Sequence, residues 1–204
     1  MEYCEVGQMD KWLAQRRSQV TEQVMEDLFR FTLGIAKGME YLTSKKVIHK
    51  RLAARNVLLT SSLDTKVAGF GPQKKEGEED EEKATKIPAK WAAPEMLEEK
   101  PATEKSDVWS YGIVLWEIFS MGQVPYPTIH SNEIGTRLRS GYRMDKPEFA
   151  DDTYYNLMKD CWQYKASRRP TFGTIRAQLA KQFGSPGNRQ SVGVYYNTNQ
   201  LNVL

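Results

Sequence analysis

With 204 residues, 40% of them hydrophobic, the chain is long enough for one domain with a sizeable core. Its 29 basic and 26 acidic side chains leave a net charge of only +3, too weak an excess to point to nucleic acid as a partner. Two cysteines far apart, Cys4 and Cys161, argue against a disulfide framework and for a reducing compartment, and two histidines, His49 and His130, do not suggest a metal site.

Taken in chain order, residues 10–20 are polar with Trp12 and Leu13 as anchors and predict a short surface helix. Residues 22–44 predict a long amphipathic helix, because Val24, Leu28, Phe31, Ile35, Met39 and Leu42 recur at spacings of three and four. Thr21 is placed to cap it, with Glu22 in the first turn. Short strands are predicted at 56–59 and 65–68 around a polar turn at 60–64. Residues 69–87 are irregular and highly charged. Residues 107–120 are apolar on every face, which predicts a buried helix. Further helices fit 131–140, 151–163 and 171–183, and the Gly-, Ser- and Asn-rich residues 184–204 predict a flexible tail. No apolar run is long enough to cross a bilayer, and the first residues lack a basic-then-apolar signal pattern.

Six motifs occur in a fixed order: Met1-Glu2-Tyr3-Cys4; His49-Lys50-Arg51-Leu52-Ala53-Ala54-Arg55-Asn56; Gly69-Phe70-Gly71; Ala93-Pro94-Glu95; Ser106-Asp107-Val108-Trp109-Ser110-Tyr111-Gly112; and Cys161-Trp162 with Arg168-Arg169-Pro170. Each alone is weak, but the ordered set resembles the C-terminal lobe of a protein tyrosine kinase over residues 1–183. Ala53-Ala54-Arg55 and Ile87-Pro88-Ala89-Lys90-Trp91 are similar to the tyrosine-specific versions of the loop and substrate platform. Ser44-Lys45-Lys46 and Gly141-Tyr142-Arg143-Met144 look most like receptor kinases of the growth-factor type.

The resemblance implies a mainly α fold, a kinase-like C-terminal lobe with a few short hairpin strands. It starts at the hinge, so the small lobe that covers ATP is expected to be absent. Met1 then reads either as an internal methionine of a longer chain or as the start of a genuine lobe-only protein. By the same resemblance ATP and magnesium are the cofactors. Glu2, Cys4 and Leu58 would line a degraded nucleotide site, and Arg51, Arg55 and Asn56 would form the catalytic loop, with Asn56 and Gly69 at the metal positions.

Two of those positions depart from the family. Arg51 stands where the aspartate that accepts the substrate proton belongs, and a guanidinium neither loses its proton nor offers a lone pair. Such a base is worth about 10²–10⁴ in rate. Gly69 stands where the first metal-binding aspartate belongs and supplies no ligand, leaving one neutral amide, Asn56, for a hard cation. Binding of ATP and magnesium is therefore expected to be weak or absent. The expected function is that of a pseudokinase, a signalling scaffold or allosteric partner. The alternatives are an active ATP-dependent receptor-type tyrosine kinase and a product that does not fold.

The resemblance also implies an internal ion pair between Glu95 and Arg169. It implies that Asp107 bonds the catalytic-loop backbone, although Asp107 reads equally as a helix cap. It puts His49 and Phe70 in a hydrophobic spine, for which core packing is the expected role. The run Glu76-Gly77-Glu78-Glu79-Asp80-Glu81-Glu82 reads as a solvated loop, or alternatively as a permanent stand-in for phosphorylation that docks on Lys50, Arg51 and Arg55. In the tail, Tyr195-Tyr196-Asn197 resembles a docking motif for an adaptor SH2 domain. Expected partners are thus other signalling proteins, among them an active kinase or an SH2 adaptor at Tyr195. The expected location is the cytoplasm, at the cytoplasmic face of the plasma membrane if the parent is a receptor.

Overall fold

The three-and-four spacing of apolar side chains becomes helix α2, Glu22–Ser44, in a computed structural model that describes residues 4–71 and 88–184. The Thr21 hydroxyl accepts a hydrogen bond from the Val24 N–H, satisfying one of the donors that a helix start leaves open. The face carrying Val24, Leu28, Phe31, Ile35 and Met39 is buried. It packs against strand β3 (Thr65–Val67), helix α4 (Glu104–Phe119) and helix α7 (Phe172–Gly184).

Helix α4 is the hub of the core. It starts three residues before the apolar run because Thr103 caps it: the Thr103 hydroxyl accepts from Lys105 N–H, and Ser106 Oγ accepts from Thr103 N–H. Asp107 is therefore not the cap. It lies inside the first turn, and its carboxylate is used elsewhere. Every residue from Ser106 to Phe119 is buried, as a helix without a polar face requires. At Gly112 the helix touches α6 (Asp152–Cys161) and the residue after it: an added Cβ would lie 2.7 Å from Trp162 Nε1 and 2.8 Å from Cys161 Cβ. Only a glycine admits that approach. Trp109 is flanked by the guanidinium groups of Arg143 and Arg169, 5.0 and 5.1 Å from its ring centre.

Helix α1 spans Met9–Arg16, shorter than the predicted 10–20 and less superficial. Met9, Trp12 and Leu13 are buried, and Arg17 beyond its end donates from Nε and Nη2 to the Met121 carbonyl, both at 3.0 Å. The two predicted strands form as β2 (Val57–Leu59) and β3. They are joined by β1 (Gly7–Gln8), a two-residue strand the sequence did not signal, in an antiparallel sheet of order β1-β2-β3. Gln8 lies opposite Leu58, and Leu58 opposite Lys66. The short helix α3 (Pro94–Leu97) was also not foreseen, although Pro94 at its first position is where proline favours a helix. Helix α5 covers Ile134–Arg139, within the predicted 131–140, and α6 is capped by the Asp151 side chain. Helix α7 includes Gly184, the first residue of the expected tail, and residues 185–204 lie outside the described residues. The result is a mainly α fold with one small sheet, as expected for a kinase-like C-terminal lobe. Among the described residues no helix is long and apolar enough to cross a membrane.

Candidate functional site

The start of the loop from His49 to Asn56 is held from below by a buried carboxylate, that of Asp107. Asp107 Oδ2 accepts from His49 N–H at 2.7 Å, and Oδ1 accepts from Lys50 N–H at 2.9 Å. Those two bonds fix Lys50 in the left-handed region, at φ +68°. Such a conformation costs on the order of 1–3 kcal/mol for a residue with a side chain and persists only where its surroundings enforce it. Burial pushes the Asp107 carboxyl up to about 6, against the lowering effect of the two N–H donors.

His49 is buried and uses both ring nitrogens. Nε2 lies 2.8 Å from the Ala68 carbonyl and must donate, while Nδ1 accepts from Arg51 N–H at 3.1 Å. One donor and one acceptor define the neutral ring, and burial lowers its pKa in keeping with that. Phe70 sits on His49 with ring centres 4.7 Å apart, but it is 41% exposed. The core-packing expectation holds for His49 and not for Phe70, whose outer face has nothing above it among the described residues.

Arg51 and Asn56 are locked to each other. Asn56 Nδ2 donates to the Arg51 carbonyl at 2.7 Å. Gly69 adopts φ +69°, and a Cβ there would lie 2.5 Å from Asn56 Oδ1 and 2.6 Å from Asn56 Cγ. The Asn56 amide therefore fills the space that an aspartate at position 69 would need. Among the described residues no group of three or more His, Cys, Asp or Glu is placed to hold a metal ion. The donor set is poor for magnesium: one position has no side chain, and the other offers a single neutral oxygen, Asn56 Oδ1, while its Nδ2 donates to the Arg51 carbonyl.

Arg55 lies over the Trp91 ring, 4.3 Å from guanidinium carbon to ring centre. Trp91 Nε1 in turn donates to Glu117 Oε2 at 2.9 Å, and the same oxygen accepts from Ala54 N–H at 2.9 Å. Glu117 thus ties α4, the catalytic loop and the residues before α3 together. Burial pushes its carboxyl up to about 7, opposed by Trp91, Ala54 and the charge of Arg55. Glu117 was missed in the sequence. The signal was available: an acid near the end of a buried and largely apolar helix must be satisfied by specific donors. The Glu95–Arg169 pair forms as expected, with Nη1–Oε1 at 2.6 Å and Nη2–Oε2 at 2.8 Å. Burial opposes ionisation of Glu95, but the Arg169 bonds outweigh it and hold the carboxyl below its usual range. Arg169 also donates to the carbonyls of Gln163, Lys105 and Tyr164.

Of the residues expected to line a nucleotide site, Cys4 and Leu58 are half-buried. Leu58 alternates with buried Val57 and Leu59, so its side chain lies on the sheet face turned away from the core. Glu2, the acidic run 76–82 and Tyr195 lie outside the described residues.

The sequence profile of the family described as protein tyrosine and serine/threonine kinase matches residues 1–179. The chain is 49% identical over 162 residues to fibroblast growth factor receptor 2 of Dugesia japonica, covering 78% of this chain and 18% of that protein. It is 39% identical over 187 residues to megakaryocyte-associated tyrosine-protein kinase of Rattus norvegicus, covering 92% of this chain and 39% of that one. It is 42% identical over 179 residues to tyrosine-protein kinase csk-1 of Caenorhabditis elegans, covering 87% and 33%. The chain therefore spans well under half the length of these curated relatives.

Proposed function

The chain belongs to the protein tyrosine and serine/threonine kinase family, and we propose that within it this chain is a pseudokinase, acting in signalling as a scaffold or allosteric partner without transferring phosphate. The observation that carries the reading is the joint state of Arg51, Asn56 and Gly69. Phosphoryl transfer needs an acceptor for the hydroxyl proton and metal ions on the phosphates. Arg51 cannot accept the proton. Gly69 supplies no ligand, which leaves one neutral amide oxygen, that of Asn56, for a hard cation. The rest of the loop is built with care, since Asp107, His49 and Glu117 are all satisfied. A loop so well supported but lacking its reactive carboxylates suits binding better than chemistry. If the parent protein is a receptor like the planarian relative, this unit works at the cytoplasmic face of the plasma membrane.

The test is transfer from ATP to a poly-Glu-Tyr substrate with magnesium or manganese. No phosphotyrosine above buffer is expected. Reproducible product that disappears in an Asn56→Ala variant would establish an active tyrosine kinase instead.

A further inference from the structure

In a catalytic loop of this type one carboxylate accepts the substrate proton, and a second carboxylate with the Asn holds the metal ion that binds the phosphate. Here one of those positions carries a guanidinium and the other no side chain, so the site's own formal charge changes from two negative to one positive. We propose that this loop is a metal-independent anion site in which Arg51 binds a phosphate monoester of an aryl hydroxyl, the phosphotyrosine of a peptide. The proposal rests on the non-catalytic reading above and gives it a ligand.

The geometry supports Arg51 as a pre-positioned cation. Its backbone is pinned on both sides: its N–H donates to His49 Nδ1 at 3.1 Å, and its carbonyl accepts from Asn56 Nδ2 at 2.7 Å. The side chain is half-buried, and among the described residues its guanidinium has no hydrogen-bond or ion-pair partner. The two buried carboxylates that touch this loop face elsewhere. Asp107 holds the His49 and Lys50 N–H groups with its two oxygens, and Glu117 holds Ala54 N–H and the Trp91 indole. A guanidinium offers a planar fork of donors that matches phosphate oxygens.

Four residues along the same loop, Arg55 and Trp91 form a stacked cation and ring, 4.3 Å apart. That step supplies a second positive charge and a flat apolar surface, which favours an aromatic ester over a bare anion. A nucleotide is the poorer ligand, because its polyphosphate ordinarily arrives with the metal whose ligands are missing here.

The experiment is calorimetric titration in EDTA, without ATP, using phenyl phosphate, a tyrosine-phosphorylated peptide, its unphosphorylated twin, inorganic phosphate and ADP. Saturable binding of phenyl phosphate and the phosphopeptide is expected, with inorganic phosphate and ADP weaker and the unphosphorylated peptide silent. Arg51→Gln should weaken phenyl phosphate by roughly tenfold to a hundredfold, the range for charge-assisted hydrogen bonds. Arg51→Lys should retain part of the affinity as a point charge. Circular dichroism melting of both variants confirms that each is folded. Affinity indifferent to Arg51→Gln, equal affinity for inorganic and phenyl phosphate, preference for ADP, or no binding of phenyl phosphate would each overturn the proposal. Since the titration contains neither nucleotide donor nor metal, its outcome is separate from that of the transfer assay.

Discussion

Replacing Gly69 by alanine tests whether the metal position has been closed. At an ordinary negative φ, glycine to alanine stabilises a protein by about 0.4–1 kcal/mol, because the unfolded chain loses freedom. Here φ is +69°, where a Cβ costs roughly 1–2 kcal/mol. The new Cβ also meets Asn56 Oδ1 at 2.5 Å, so the amide must swing and give up its bond to the Arg51 carbonyl. That bond is worth about 0.5–1.5 kcal/mol net. The strain and the lost bond exceed the entropic gain, and Gly69→Ala should destabilise by about 1–3 kcal/mol. Urea unfolding followed by circular dichroism measures this directly. Combining it with Asn56→Ala should recover about 1 kcal/mol as a coupling, because the obstructing amide is then gone. The sign decides the matter. A Gly69→Ala protein that is more stable than the parent, or a cycle with no coupling, would show that position 69 is open to a side chain and that an aspartate there could reach a metal.

Arg169→Ala removes a residue that is 2% exposed, leaves three carbonyls without its donors and leaves Glu95 with only the Ser106 hydroxyl as a side-chain donor. It should cost about 3–5 kcal/mol in urea unfolding, and a loss under about 1 kcal/mol would mean that the pair is not buried in solution. Glu117→Gln should change how stability varies with pH. The folded carboxyl titrates at about 7 against an ordinary 4.5, so its contribution is fully present below 4.5 and is lost as pH rises through 7. The stability difference between parent and variant should therefore shift by about 3 kcal/mol against the parent across that window. Asp107, which moves in the same direction, and His49, which moves in the opposite one, are common to both proteins and cancel in the difference. A difference that is flat with pH would place Glu117 in a wetter setting than the structure gives it.

The amino-acid sequence alone determined the helices, because each carries its own periodicity: α2 and α4 form where spacing and uniform apolarity put them, and Thr21 caps where its hydroxyl can reach. It also determined the order of the motifs and the presence of Arg51 and Gly69 within them, since those are matters of residue type. The tertiary structure decided what is set by contact across the chain. Asp107 is a clamp for the loop from His49 to Asn56 and not a cap, because Thr103 already holds the helix start while the N–H groups of His49 and Lys50, 58 and 57 residues away, donate to its carboxylate. Phe70 stays exposed because the described chain places nothing over it. Gly69 is more than a missing ligand, since its left-handed backbone lets Asn56 occupy the vacant space, and no local pattern in a sequence records which side chain fills a gap left by another.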